Sequence, residues 1–223
     1  MFIKKLQGWL LFFLHKGDIS KRTIAKFLSE NPIIVEAGAH IGRDTVEMSK
    51  QWPKGFIHAF EPIPEIFRKL NENVRECQNV KIYCMALAEK TGTATIHVSS
   101  GASDASSSLL KPKEHLVQHP GVFFKRTEIV NVTSLVDWKK ESGVERIDLL
   151  WLDLQGNELN VLTAAEELLY NVMAIYTEVN LKENYENTAL YSDLKTYLIG
   201  LGFVAIKEKL FWTDAGNVLF IKR

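Results

Sequence analysis

Short apolar runs alternate with segments of helical period through the first third of the chain. Residues 33–36 form a continuous apolar run ending in a carboxylate, which predicts a buried strand, and residues 43–50 then carry the 3.6-residue spacing of a surface helix. Residues 56–60 predict a second strand, residues 64–76 a second helix and residues 80–86 a third strand. Alternation of this kind predicts a parallel sheet with helices on both faces. The period then changes. Residues 93–98 and 126–132 place β-type side chains at every second position, which predicts an antiparallel pair or an edge extension. Between them, residues 99–108 are rich in serine and glycine, and two readings stand: a flexible loop, or a hydroxyl-lined lid on a substrate.

In the second half, Ser134 is placed to cap a helix over residues 135–142 and Gly143 to end it. Residues 147–152 predict an apolar strand ending at Asp153, residues 158–169 a helix, and residues 174–179 another strand. Residues 192–201 predict a helix stopped by Gly202, and residues 203–207 and 216–221 a closing antiparallel hairpin. The sum is an α/β protein with a mostly parallel sheet of about seven strands, helices on both faces and a C-terminal antiparallel hairpin. With no internal repeat and no linker, residues 31–223 read as one domain, preceded by an N-terminal helical extension over residues 1–30 that includes residues 21–28.

Composition narrows the function classes. The chain has 223 residues, 46% of them hydrophobic, enough for one well-filled core. Lys+Arg and Asp+Glu both total 27, so no global field draws it to nucleic acid, and no nucleic-acid partner is expected. Cys77 and Cys84 show no CxxC spacing and read as reduced thiols in a cytoplasmic protein. The apolar run over residues 8–14 is shorter than the ~20 residues that cross a bilayer. It is expected to pack on the domain or on a partner chain. The alternative is peripheral membrane contact through residues 1–14, with Trp9, Phe12 and Phe13 among lipid headgroups.

The chemistry gathers at strand ends. In doubly wound sheets, ligands bind in the crevice outside the carboxyl ends of the strands. Three features are expected there: the loop Glu36-Ala37-Gly38-Ala39-His40-Ile41-Gly42, then Glu61, then Asp153. Glycines after a strand can simply permit a tight turn. Here, however, their spacing departs from G-x-G-x-x-G, so a diphosphate would lack its usual cradle. Glu36 adds to this, because a carboxylate repels phosphate and attracts an ammonium or sulfonium. An adenosine ligand without a diphosphate, such as S-adenosylmethionine, is favoured, and Glu61 can accept hydrogen bonds from two ribose hydroxyls.

The loop from Glu36 to Gly42, Phe60-Glu61-Pro62 with Leu70 and Asn73, Ala86-Leu87-Ala88, Val132-Thr133-Ser134-Leu135 and the stretch from Asp148 to Glu158 together resemble the FkbM family of class I S-adenosylmethionine-dependent methyltransferases. The likeness runs over about residues 33–180. Its most distinctive part is Leu152-Asp153-Leu154-Gln155-Gly156-Asn157-Glu158, similar to the family's strand-end K-I-D-V-(E/Q)-G-x-E. Trp151 stands where that motif has lysine, and His40 where the family often has asparagine.

The resemblance implies a Rossmann-like class I methyltransferase fold, S-adenosylmethionine as cofactor, and methylation of a hydroxyl on a sugar or other polyhydroxylated metabolite. Gly38, Ala39, His40 and Gly42 would then meet the methionine end of the cofactor, with Glu36 anchoring that loop or reaching the ammonium group through an intervening contact. Glu61 and Pro62 would hold the ribose, and Ala86 and Leu87 would border the adenine. Asp153 would sit beside the sulfonium and take a proton; Glu158 would either join the site or cap a helix. Glu178, His115 and His119 are reserve bases, and no metal is expected. The acceptor is a small molecule or glycan, contacted by residues 99–119 and the N-terminal helices. Two other readings stand beside this one. A nicotinamide-dependent oxidoreductase would need a diphosphate loop and a Tyr-x-x-x-Lys pair, neither suitably placed here; a non-catalytic Rossmann-like binding or scaffolding module would keep the fold alone.

Overall fold

The computed structural model describes residues 19–210 and 212–223, so the expected contact through residues 1–14 lies outside the described residues. Its main sheet has seven strands: β1 (Ile33–Ala37), β2 (Phe56–Phe60), β3 (Val80–Tyr83), β7 (Leu149–Leu152), β8 (Ala174–Asn180), β9 (Phe203–Lys209) and β10 (Ala215–Lys222). Their spatial order is β3-β2-β1-β7-β8-β10-β9, parallel from β3 to β8. β10 is antiparallel to both neighbours and slots between β8 and β9. The expected parallel sheet and terminal hairpin are both present.

The helices are α1 (Lys21–Ile24), α2 (Arg43–Gln51), α3 (Pro64–Val74), α4 (His115–Gln118), α5 (Leu135–Ser142), α6 (Glu158–Ala164), α7 (Glu166–Leu169) and α8 (Tyr191–Gly200). Ser134 caps α5 by accepting from the Asp137 amide at 3.0 Å, and Gly143 ends it in the left-handed conformation. Successive residues of β1 serve opposite cores, as the two-residue period of a strand requires. Ile34 packs with Met48, Trp52, Leu149 and Trp151, together with Ile19 and Ile24 from the α1 region. Val35 packs with Phe60, Trp138, Leu150 and Ile175.

Three elements differ from expectation. The helix expected over residues 21–28 is α1 followed by a 3-10 turn, Ala25–Phe27, after which Leu28 is extended. The third strand divides. β3 stays in the main sheet, whereas β4 (Ala86–Leu87) pairs with β6 (Val122–Thr133) in a second sheet of order β4-β6-β5, where β5 is Gly92–Gly101. An unbroken apolar run hides such a change of hydrogen-bonding partner, since both sheets bury it. The helix over residues 158–169 breaks at Ala165 (φ −119°, ψ 23°). Just before the break, the Thr163 hydroxyl donates back to the carbonyls of Leu159 and Asn160, a bond that competes with regular helix.

Candidate active site

Sheet order reverses direction between β1 and β7, and the crevice belongs at the carboxyl ends of those two strands. β1 ends at Ala37, and Gly38 turns the chain with φ +87°. A Cβ on Gly38 would lie 2.0 Å from the Asp153 carbonyl oxygen, so glycine alone allows the two strand ends to approach this closely. The Gly38 and Ala39 amides both donate to Phe60 O, at 3.1 and 2.9 Å. His40 follows in the left-handed region, φ 50°.

A cleft of about 650 Å³, open mouth included, lies over these ends. Of the expected residues, Gly38, His40, Glu61, Pro62, Ala86, Leu87 and Asp153 line it. Glu36, Ala39, Gly42 and Glu158 stand behind it. Ala39 is in the core with Leu70, and a Cβ on Gly42 would meet Leu70 Cδ1 at 2.6 Å, so both serve the packing of the loop on α3. Ile63, Ile66 and Ile96 make an apolar wall, and Asp104, Ala105, Ser107 and Leu109 complete the lining. Residues 99–108 are tied down: Ser108 bridges to His97 as a strand partner and donates from its hydroxyl to Gln155 O at 2.8 Å.

Three buried glutamates have distinct jobs. Glu36 is buried and accepts from the Thr45 hydroxyl at 2.5 Å, tying α2 to β1. Burial pushes its carboxyl up to about 8, against the opposing pull of the Thr45 bond. Glu61 accepts from the Ile63 amide at 2.8 Å and the His40 amide at 3.1 Å, and burial pushes it up to about 7. Glu158 accepts from the amides of Leu154 (2.8 Å) and Gly156 (3.0 Å), cinching the turn that begins at Asp153; burial pushes it up to about 7. Asp153 itself is exposed to the cleft.

Other participants lack a sequence signal or had a faint one. Gln155 Nε2 lies 2.6 Å from Asp153 Oδ1 and 2.7 Å from Glu178 Oε2, and the Tyr185 hydroxyl lies 2.8 Å from Gln155 Oε1. Glu178 follows Thr177, the register partner of Leu152, so two adjacent strand ends bring it beside Asp153. That adjacency is visible once the strands are ordered. Tyr185, by contrast, sits in a polar loop where nothing in the pattern singles it out. Asp104 comes within 3.1 Å of His40 Nε2, while burial lowers the affinity of that ring for a proton. His119 and His115 stand away from the cleft lining. His119 Nε2 lies 2.8 Å from buried Asp214, and His115, held down to about 4 by burial, packs on the rings of His119 and Tyr185.

Among the described residues, the charged side chains on the cleft wall are Glu61, Asp104 and Asp153, beside one histidine and no lysine or arginine. Such a wall attracts a cation and rejects a diphosphate. Residues 36–205 match the Methyltransferase FkbM domain. The chain belongs to the FkbM methyltransferase family. This methyltransferase is 31% identical over 173 residues to the 2-O-methyltransferase NoeI of Sinorhizobium fredii, a match spanning 75% of this chain and 71% of NoeI. It is 27% identical over 211 residues to Methyltransferase sdnD of Sordaria araneosa, across 83% and 78% of the two chains. The crystal structure of Methyltransferase FkbM from Methylobacillus flagellatus superposes with a TM-score of 0.59 at 13% identity, covering 87% of this methyltransferase and 44% of that chain. This chain therefore spans less than half of that protein, and the likeness is one of Rossmann-like fold. The methyltransferase depends on S-adenosylmethionine, and its cleft fits that cofactor. Glu61 offers acceptors for ribose hydroxyls, the isoleucine wall suits a flat ring, and acidic groups suit an ammonium and a sulfonium.

Proposed function

We propose that this methyltransferase methylates a hydroxyl oxygen of a sugar or other polyhydroxylated acceptor, with Asp153 taking the acceptor's proton. The carrying observation is the contrast among the carboxylates: Glu36, Glu61 and Glu158 are buried and Asp104 lies against His40, whereas Asp153 opens onto the cleft at the end of β7. An alcohol is a weak nucleophile until it loses its proton, so a carboxylate open to the acceptor supplies what oxygen methylation needs. The relative NoeI, whose name specifies a 2-O-methyltransferase, supports oxygen as the target.

When bound, S-adenosylmethionine supplies an electrophilic methyl group on a sulfonium. The chain's own residues do the rest. Glu61 would hold the ribose hydroxyls, with its orientation fixed by the amides of His40 and Ile63. Ile63, Ala86 and Leu87 would flank the adenine, and Gly38 and His40 the methionine end. Ala105, Ser107 and Leu109 would exclude water from the cleft. Much of the acceleration then rests on orientation.

Calorimetry tests the cofactor assignment. S-adenosylmethionine and S-adenosylhomocysteine should both bind, and Glu61→Ala should weaken both by about ten- to a hundredfold, the scale of hydrogen bonds to a charged acceptor. Binding of NADH in place of the adenosylated sulfur compounds would overturn it. For the acceptor, methyl-labelled cofactor incubated with fractionated host extract should label a hydroxyl oxygen. Label recovered on nitrogen or carbon would overturn the oxygen assignment.

A further inference from the structure

Behind Asp153 runs a chain of polar side chains whose hydrogens can be counted. The Tyr185 hydroxyl has one hydrogen but lies near two acceptors, Ser106 O at 2.9 Å and Gln155 Oε1 at 2.8 Å. The Gln155 amide nitrogen has two hydrogens and donates them to Asp153 and Glu178, and the two carboxyls are themselves in hydrogen-bond contact, a contact that needs a proton on one of them.

The surroundings also oppose double ionisation. Two carboxylates share one amide atom, and the charged groups facing them are acidic. Glu158 faces Glu178 from the start of α6, and Asp214 from the turn before β10. Glu36 on β1 and Glu61 after β2 lie within reach of Asp153, and the Tyr185 phenol faces both members. Burial first, then Asp153, holds the Glu178 carboxyl well above the usual carboxylate range.

We infer that Asp153 and Glu178, joined through Gln155, hold one proton between them in the free methyltransferase and release it when a cationic ligand enters the cleft. This rests on the cofactor site proposed above. The cycle balances. A sulfonium entering displaces the shared proton to solvent. The acceptor's O–H proton then passes to Asp153 as the oxygen bonds the methyl carbon and the carbon–sulfur bond breaks, its electron pair staying on sulfur. The neutral thioether leaves a pair that again holds one proton. Glu178 is thus a positioning residue that stores a proton, and Asp153 is the group that meets the acceptor.

Calorimetry of the full chain at pH 7, in phosphate and in Tris, reads the proton count directly from the difference in observed heats. Binding of S-adenosylmethionine should release about one proton more than binding of S-adenosylhomocysteine, because the ribose and amino-acid contacts are common to both. Glu178→Gln, which keeps the shape but cannot ionise, should bind both ligands and erase that difference. A second measurement needs no variant: the affinity ratio of the sulfonium over the thioether should rise up to about tenfold per pH unit between pH 6 and 8. Equal proton counts with normal binding, a flat ratio, or a Glu178→Gln protein that keeps the difference would each overturn the inference alone. If neither ligand binds the wild type, the cofactor site falls with it.

Discussion

Glu36 and Trp151 are partners in the parallel register of β1 and β7. The indole stacks on Tyr176, ring centroids 3.8 Å apart, and Lys21 Nζ sits 4.8 Å above it while pairing with Asp44 and Glu47. With an aromatic side chain on the adjoining strand, Glu36 is held neutral by burial, against the Thr45 hydroxyl bond, which favours the charged form. Its carboxyl lies near 4.5 when unfolded and about 8 when folded, so the folded state binds the extra proton between those values. Stability should therefore fall as pH rises from about 4.5 to about 8, by up to about 1.4 kcal/mol per pH unit from this group. Glu61 and Glu158 act with the same sign. Denaturant midpoints across this range should show the decline, and Glu36→Gln should flatten it; an unchanged slope would remove Glu36 as a source. Glu61 adds a separate prediction. Ionised, it accepts from ribose hydroxyls at both oxygens and more strongly, so affinity for both adenosylated ligands should rise through about pH 7, and Glu61→Gln should lose that rise. The strand-end carboxylates were legible as sequence because each closes an apolar run. Gln155 was legible only as a motif position, and Tyr185 not at all, since a hydrogen-bond bridge depends on side-chain directions that hydropathy does not carry.

At the scale of elements, the turn from Asp153 to Glu158 decides where the proposed proton acceptor, Asp153, stands. Gln155 (φ 51°) and Gly156 (φ 102°) are left-handed in succession, and Glu158 holds the turn through two amides. A Cβ on Gly156 would come 2.2 Å from Thr188 Oγ1. Gly156→Ala should destabilise the protein by about 1–3 kcal/mol, seen as a lower Tm, through strain at that φ together with the clash. Glu158→Ala should cost about as much, because it leaves two amides of the turn without their acceptor. Wild-type melting of either variant would show that the turn is held by something else. The parallel strands were readable because burial on both faces makes their apolar runs continuous. The split between β3 and β4 was not, for the same reason: apolar residues look alike whichever sheet accepts their backbone hydrogen bonds. The break at Ala165 likewise turns on the Thr163 hydroxyl choosing a helix carbonyl, a local competition that the 3.6-residue period does not register.

Over the whole molecule, the main sheet supplies the cleft floor and the second sheet supplies a wall, and residues 99–108 join the two. Ser108 is the joint. Its backbone bridges to His97 on β5, and its hydroxyl donates to Gln155 O in the turn after β7. Nearby, Ser106 O accepts from Tyr185, whose hydroxyl also reaches Gln155. The serine-rich stretch, open at the sequence level between a flexible loop and a hydroxyl-lined lid, is thus anchored at both ends of the cleft. Loops joined this way lose local opening freedom without adding to the core, so weakening the joint should affect the cleft more than the fold. Ser108→Ala removes the bond to Gln155 and the acceptor used by the Leu110 amide. Cofactor affinity should fall several-fold, equivalent to about 1 kcal/mol. Amide exchange should quicken over residues 102–110 while β1, β7 and β8 stay protected. Exchange rising equally in the central strands would mean that the serine stabilises the whole domain, and exchange unchanged over residues 102–110 would mean that the wall does not depend on this joint.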